Sequence, residues 1–255
     1  MARTLIAGNW KMHNNASQAS LLVHRLQERI KIHRDVEVVL IPPMLTLQPM
    51  SMQIDRRKFR LGAQNAYHED EGPFTGEVSM TMLHDLVHYV VVGHSERRHV
   101  FGETDEMVAK KAAAAVRNDL APIICVGETH HERTQGETKQ VLHDQTVAAL
   151  KNLTSKDMHD VVIAYEPVWA IGTGDNAKPD QVQDAVDTIR HNVAQLYGKT
   201  AAARLRVLYG GSTNGDNARS YLQLPGVNGL LIGGASLNYH QFSDIVDTAY
   251  RLTKE

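Results

Sequence analysis

The chain has one cysteine, Cys125, so no intrachain disulfide can form. That cysteine sits inside the apolar run APIICVG, where it reads as a small buried hydrophobe rather than a reactive thiol. Charge of one sign is equally scarce. With 27 Lys and Arg against 29 Asp and Glu, the formal net charge is −2, which recommends neither nucleic acid nor an anionic membrane as a partner. No apolar run approaches the ~20 residues of a membrane-spanning helix. The opening MARTLIAGNWKM carries too short an apolar stretch for a secretory signal. One glycosylation sequon, Asn152-Leu153-Thr154, is present, but nothing else suggests export. A cytoplasmic protein is expected. A convincing set of metal ligands is missing too: His130 and His131 are adjacent, so their side chains diverge, and His84 and His88, spaced as on a helix, have no evident third ligand. Neither a metal nor a cofactor is expected.

What remains is ordinary soluble-protein composition over 255 residues, 42% hydrophobic and 22% charged. Eight short apolar runs punctuate it: TLIAGNW (4–10), VEVVLIPP (36–43), RLGAQNA (60–66), YVVVGHS (89–95), APIICVG (121–127), VVIAYEP (161–167), LRVLYGG (205–211) and GLLIGGA (229–235). Most are rich in Val and Ile without strict alternation, the pattern of strands buried on both faces of a parallel sheet. Helical patterns separate them. Residues 16–32 place Leu22, Leu26 and Ile30 on one face, 104–118 open with a polar cap and an acidic first turn, 182–196 follow Pro179, and 239–252 close the chain. About eight strand–helix alternations, in a length close to the typical ~250 residues, predict a closed (β/α)8 barrel, a TIM barrel of eight parallel strands with outer helices. No Pro/Ser-rich linker divides the chain, so residues 1–255 are expected to form a single domain. The alternative, an open doubly wound sheet, usually carries a Gly-rich turn after its first strand, where this chain has Gly8-Asn9-Trp10-Lys11.

In such a barrel the chemistry belongs at the C-terminal ends of the strands, and the unusual residues gather there. The first run ends in Asn9 and Lys11, the fourth in Gly93-His94-Ser95-Glu96, the sixth in Glu166, the seventh in Gly210-Gly211-Ser212 and the eighth in Gly233-Gly234. Paired glycines let a backbone approach an anion and aim its N–H groups at it, and the loops after strands seven and eight commonly hold phosphate. A carboxylate beneath an apolar loop is partly desolvated, which suits a general base. His94 lies at the start of the short helical segment SERRHVFG, with Ser95 a candidate cap. A helix N-terminus disfavours an imidazolium, so a neutral, hydrogen-bond-donating His94 is expected. Lys11 supplies fixed positive charge. Base, electrophile, cation and phosphate cradle together predict proton abstraction beside a carbonyl of a small phosphorylated substrate. A Schiff-base aldolase would need an inward lysine, and the sixth strand ends in Glu166 instead. A non-catalytic phosphate-binding protein on this fold would not need every acid, base and cation position filled.

Over essentially its whole length the chain resembles the triosephosphate isomerase family, through GNWKM (8–12), AQN (63–65), FTGEVS (74–79), VVGHSERR (91–98), CVGE (125–128), AYEPVWAIGTG (164–174), YGGS (209–212) and GGASL (233–237). The resemblance implies interconversion of dihydroxyacetone phosphate and D-glyceraldehyde 3-phosphate through a cis-enediol(ate), in glycolysis and gluconeogenesis. It implies Glu166 as base, His94 as electrophile and proton shuttle, Lys11 and Asn9 as oxyanion stabilisers, and Glu96 as a supporting residue. The phosphate would rest on backbone amides of Gly172, Ser212, Gly233 and Gly234. A lid would run over Pro167, Val168, Trp169, Ala170, Ile171, Gly172, Thr173, Gly174, Asp175, Asn176 and Ala177. A homodimer is implied as well, in which residues 65–79 enter the neighbouring subunit and Thr75 approaches its Lys11 or His94. The chain departs from the family's pattern at Asp175-Asn176 in the second hinge, at His130-His131, and at Asn228, where Asp is common.

Overall fold

A computed structural model describes residues 3–32, 34–171 and 176–255. Eight strands form: β1 (Thr4–Asn9), β2 (Val36–Ile41), β3 (Arg60–Ala63), β4 (Tyr89–Val92), β5 (Ala121–Val126), β6 (Val162–Tyr165), β7 (Arg206–Tyr209) and β8 (Gly229–Ile232). Each pairs in parallel with its sequence neighbour, and β1 closes on β8 through Leu5–Gly8 opposite Gly229–Ile232. Closure excludes the open sheet. Every run read as a strand from its apolar content is one, because burial on both faces favours Val, Ile and Leu at successive rather than alternating positions.

Two apolar layers result. Inside the barrel, Leu5, Ala7, Val39, Val91, Ile123, Val162, Ala164 and Leu208 fill the lumen. Between barrel and helices, a larger layer contains Ile6, Val38, Leu40, Val90, Val92, Ile124, Ile163 and Val207, the residues of opposite parity on the same strands. The period-2 side-chain geometry of a strand thus sorts one apolar run into two cores.

The helices begin where their capping residues lie. Ala16–Arg29 starts at Asn15, whose side chain accepts from Gln18 N while Gln18 answers with its own side chain. It stops three residues earlier than its apolar pattern, since Ile30 is already extended. Asp105–Arg117 is capped by Thr104, and Pro179 occupies the first turn of Pro179–Tyr197. Tyr239–Leu252 spans the expected residues. The helix Met80–Leu83 ends before His84, so His84 and His88 do not share a helical face. His84 turns to Asp85, while His88 faces the Arg60 guanidinium. No described helix is long and apolar enough to cross a membrane.

At the N-terminal rim, Asn228 ties three strands together. Its carbonyl accepts from Leu5 N, its N–H donates to Val207 O, and its side-chain oxygen accepts from Val207 N and from Arg190. The Arg190 guanidinium also donates to the carbonyls of Ala202, Leu205 and Gly226. Its hydrogen bonds there run to carbonyl oxygens rather than to a carboxylate.

Candidate active site

Closure of the barrel carries the ends of β1, β4, β6, β7 and β8 to one mouth. A cavity of about 220 Å3 opens there, lined by Asn9, Lys11, His94, Glu166, Ile171, Gly210–Thr213, Leu231, Gly233, Gly234 and Ala235. The structure therefore brings together Asn9, Lys11, His94, Glu166, Ser212, Gly233 and Gly234, which are up to 225 positions apart in sequence (234 − 9). Of the expected lid, Gly172, Thr173, Gly174 and Asp175 lie outside the described residues.

Glu166 is 2% exposed. Its N–H continues the sheet by donating to Val126 O at 2.8 Å. Its carboxylate accepts from Ser95 N at 2.8 Å through Oε2, and Oε1 lies 3.1 Å from His94 Nε2. Carboxylate and imidazole are thus in contact. Two glycines make room for this acid. A Cβ at Gly210 would stand 2.9 Å from Glu166 Cγ, and one at Gly127 would collide with Glu166 O.

His94, rather than Ser95, caps the helix Ser95–His99. Its Nδ1 accepts from Glu96 N at 3.2 Å. An acceptor nitrogen carries no proton, so the neutral ring holds its hydrogen on Nε2, the atom that faces Glu166 and the cavity. Ser95 takes the first helical position and spends its N–H on Glu166, a second use of one helix N-terminus.

Lys11 has φ +52°, uncommon for a residue with a side chain. Its backbone is held by its N–H donating to Asn9 Oδ1 at 3.1 Å and by Gln64 Nε2 donating to Lys11 O at 2.7 Å. Gln64 also reaches Ile41 O on β2, which anchors the arrangement to the barrel. Strained backbone held by several partners is a recurring feature of functional sites. The Lys11 Nζ meets Glu96 Oε1 at 2.7 Å. Burial pushes the Glu96 carboxyl up, but the hydrogen bond and charge of Lys11 outweigh it and hold it below its usual range.

Sequence reasoning missed Glu128, at the end of β5 and fully buried. It accepts from Tyr165 OH, from Trp169 Nε1 at 2.9 Å and from Arg133, whose guanidinium lies 4.3 Å from the Trp169 ring centroid. Its backbone carbonyl accepts from Val168 N. The segment after Glu166 is therefore pinned: Pro167 leads into a 3-10 turn, Val168–Ala170, fastened to Glu128. After residues 172–175, Asn176 is exposed and Ala177 is buried, its carbonyl accepting from Tyr221 OH at 2.8 Å. A signal was available, since CVGE places a carboxylate after an apolar strand just as AYEP does.

A second buried ion network supports the β4 end. Glu103 accepts from Gly93 N and from Arg97, and pairs with Lys111 at 3.2 Å. Burial pulls the Lys111 ammonium below its usual value and Glu103 opposes that. Lys111 in turn holds Asn65, where the loop 65–79 begins. Burial, then the Glu166 carboxylate, pushes the Cys125 thiol well up, which keeps it neutral. Among the described residues no group of three or more His, Cys, Asp or Glu is arranged to hold a metal ion.

A buried carboxylate touching a histidine, with a lysine and two glycine loops around one small cavity, fits the family that the motifs resemble. The triosephosphate isomerase family model matches residues 4–249. The chain belongs to the triosephosphate isomerase family. Its relatives include the triosephosphate isomerase of Caldanaerobacter subterraneus subsp. tengcongensis, 47% identical over 248 residues that cover 97% of this chain and 100% of that one. The triosephosphate isomerase of Moorella thermoacetica is 46% identical over 248 residues (97% and 99%), and that of Chloroherpeton thalassium 45% over 251 (98% and 100%). Like the family, this chain is an isomerase on a TIM barrel.

Proposed function

We propose that the chain interconverts dihydroxyacetone phosphate and D-glyceraldehyde 3-phosphate through a cis-enediol(ate), with Glu166 moving the proton between the two carbons. The observation that carries this reading is the 3.1 Å contact between Glu166 Oε1 and His94 Nε2 in a small cavity at the barrel mouth. On substrate binding, both groups exchange that contact for the substrate. Glu166 takes the proton from the carbon beside the carbonyl, and His94 Nε2–H donates to the carbonyl oxygen as negative charge grows there. His94 moves the hydroxyl proton from the neighbouring oxygen to the former carbonyl oxygen, and a new carbonyl forms at the neighbouring carbon as Glu166 returns its proton to the carbon that carried the old one. Asn9 and the Lys11 ammonium stabilise the oxyanion, and Glu96 keeps Lys11 in place. The phosphate rests on backbone amides of Ser212, Gly233 and Gly234, with that of Gly172, outside the described residues, as the fourth. An apolar lid protects the intermediate from water. The reaction needs no cofactor or metal, and its cellular setting is cytoplasmic glycolysis and gluconeogenesis.

The whole chain acts as one domain and works as a homodimer. In support, a second cavity of about 430 Å3 adjoins the first, sharing Asn9, Lys11 and His94 and also lined by Glu96, Gln64 and Phe101. Around it Met12 is 95% exposed and Phe101 67%, and the loop carrying Thr75 stands out into solvent. A second copy inserting that loop would cover this apolar rim.

A coupled assay that follows consumption of D-glyceraldehyde 3-phosphate by the purified chain tests the reading. Turnover is the expected outcome. No turnover above the uncatalysed rate would refute it.

A further inference from the structure

We infer that Gln145, a residue outside the cavity, is a positioning residue for the base: its side-chain amide clamps the Gly127 peptide on which Glu166 rests. The inference rests on the reading of Glu166 as the base.

The argument begins with what Glu166 leans on. Its backbone approaches Gly127 so closely that a Cβ there would lie 1.7 Å from Glu166 O, so position 127 admits no side chain. Glycine solves the steric problem and creates another, because a residue without Cβ is the least restrained in the chain. The segment around it carries the base directly. Val126 O accepts from Glu166 N at 2.8 Å, and Glu128 O accepts from Val168 N at 3.1 Å. Any movement of the 126–128 backbone is therefore passed to Glu166 from both sides.

Gln145 restrains that backbone from outside. It projects from the helix Thr138–Leu150 and uses both ends of its amide: Oε1 accepts from Gly127 N at 2.8 Å, and Nε2 donates to Gly127 O at 3.3 Å. Holding one residue's N–H and C=O together fixes the orientation of both adjoining peptides, which a single hydrogen bond does not. The helix behind it is itself firm, with Leu142, Thr146, Ala149 and Leu150 buried. The base is thus held through the path Gln145, Gly127, Glu166, while its carboxylate is held separately by Ser95 N–H. A carboxylate or a methionine of similar length cannot repeat the clamp, since one lacks the donor and the other has no donor and only a weak acceptor.

The test is steady-state kinetics on Gln145→Met beside the unaltered chain, with both substrates and with dihydroxyacetone phosphate deuterated at C1. The expected result is a fall in kcat of about tenfold, intermediate for a base displaced by less than 1 Å. KM should stay within about twofold, because Gln145 does not line the cavity. The deuterium isotope effect on kcat should exceed that of the unaltered chain, since proton abstraction becomes the slower step. A general loss of folded protein would lower kcat without changing the isotope effect, so the two causes separate. Where Gln145→Met fails to fold, Gln145→Asn, which keeps both groups one methylene short, takes its place with the same expected direction. A folded variant whose kcat lies within about twofold of the unaltered chain, or whose kcat falls with no change in isotope effect, overturns the inference. Inactivity of the unaltered chain would instead refute the isomerase reading, so the two failures are distinguishable.

Discussion

Gly210→Ala puts the geometry around the base to a quantitative test. The new methyl carbon would stand 2.9 Å from Glu166 Cγ and 3.2 Å from Tyr165 O. Comfortable carbon–carbon contact begins at about 3.5 Å, so one partner must give by roughly 0.6 Å or more. The backbone is poorly placed to yield, since Gly210 N already donates to Tyr165 O at 2.7 Å and Gly127 closes the opposite side of Glu166. The side chain of Glu166 therefore moves, leaving its rotamer at a cost of about 0.5–1.5 kcal/mol. A misplacement of about 1 Å in a reacting group can cost ~100-fold, or about 2.7 kcal/mol of barrier. The expected result is a kcat reduced by about 10- to 100-fold, KM changed much less, and a melting temperature lowered by only a few degrees. The coupled assay reads the first two, and a thermal melt followed by circular dichroism reads the third. A kcat within about threefold of the unaltered chain would show that the site tolerates movement of Glu166, and the steric argument would fail.

Other outcomes follow from the same contacts. Glu166→Asp withdraws the carboxylate by one methylene and should lower kcat by about 100-fold or more with KM near that of the unaltered chain; unchanged turnover would mean that another group is the base. Lys11→Met removes the cation paired with Glu96 and should weaken binding of substrate and of enediolate mimics alike, measured by isothermal titration. Asn228→Asp places a carboxylate where Arg190 now meets an amide oxygen and should raise stability by about 1–2 kcal/mol; a lower denaturation midpoint would refute this. His88 is held below the ordinary histidine range, first by burial and then by Arg60 and Arg56. The unfolded chain therefore takes up that proton more readily, and stability from this group is lost as the pH falls from about 6.5 toward the lower folded value. Melts across that window should show the decline, and His88→Gln should reduce it.

Strands and helices were legible because burial on both faces leaves an unbroken apolar run, and because the polar cap at Thr104 and Pro179 mark helix starts by local chemistry that needs no distant partner. The sequence alone also determined which residue types stand at the strand ends, and so the presence of a carboxylate, a histidine, a lysine and two glycine pairs at one mouth. Tertiary structure decided how they are used. Whether His94 or Ser95 caps the short helix depends on where Glu166 lies, and Glu166 is 71 positions from Ser95. That Gly127 and Gly210 make room for Glu166, that Gln64 holds a strained Lys11, and that Glu128 fastens the turn Val168–Ala170 are facts about contacts across the barrel. A hydrogen bond or a steric collision is set by separations of tenths of an ångström between groups distant in sequence. Such separations exist only once β1 has closed on β8.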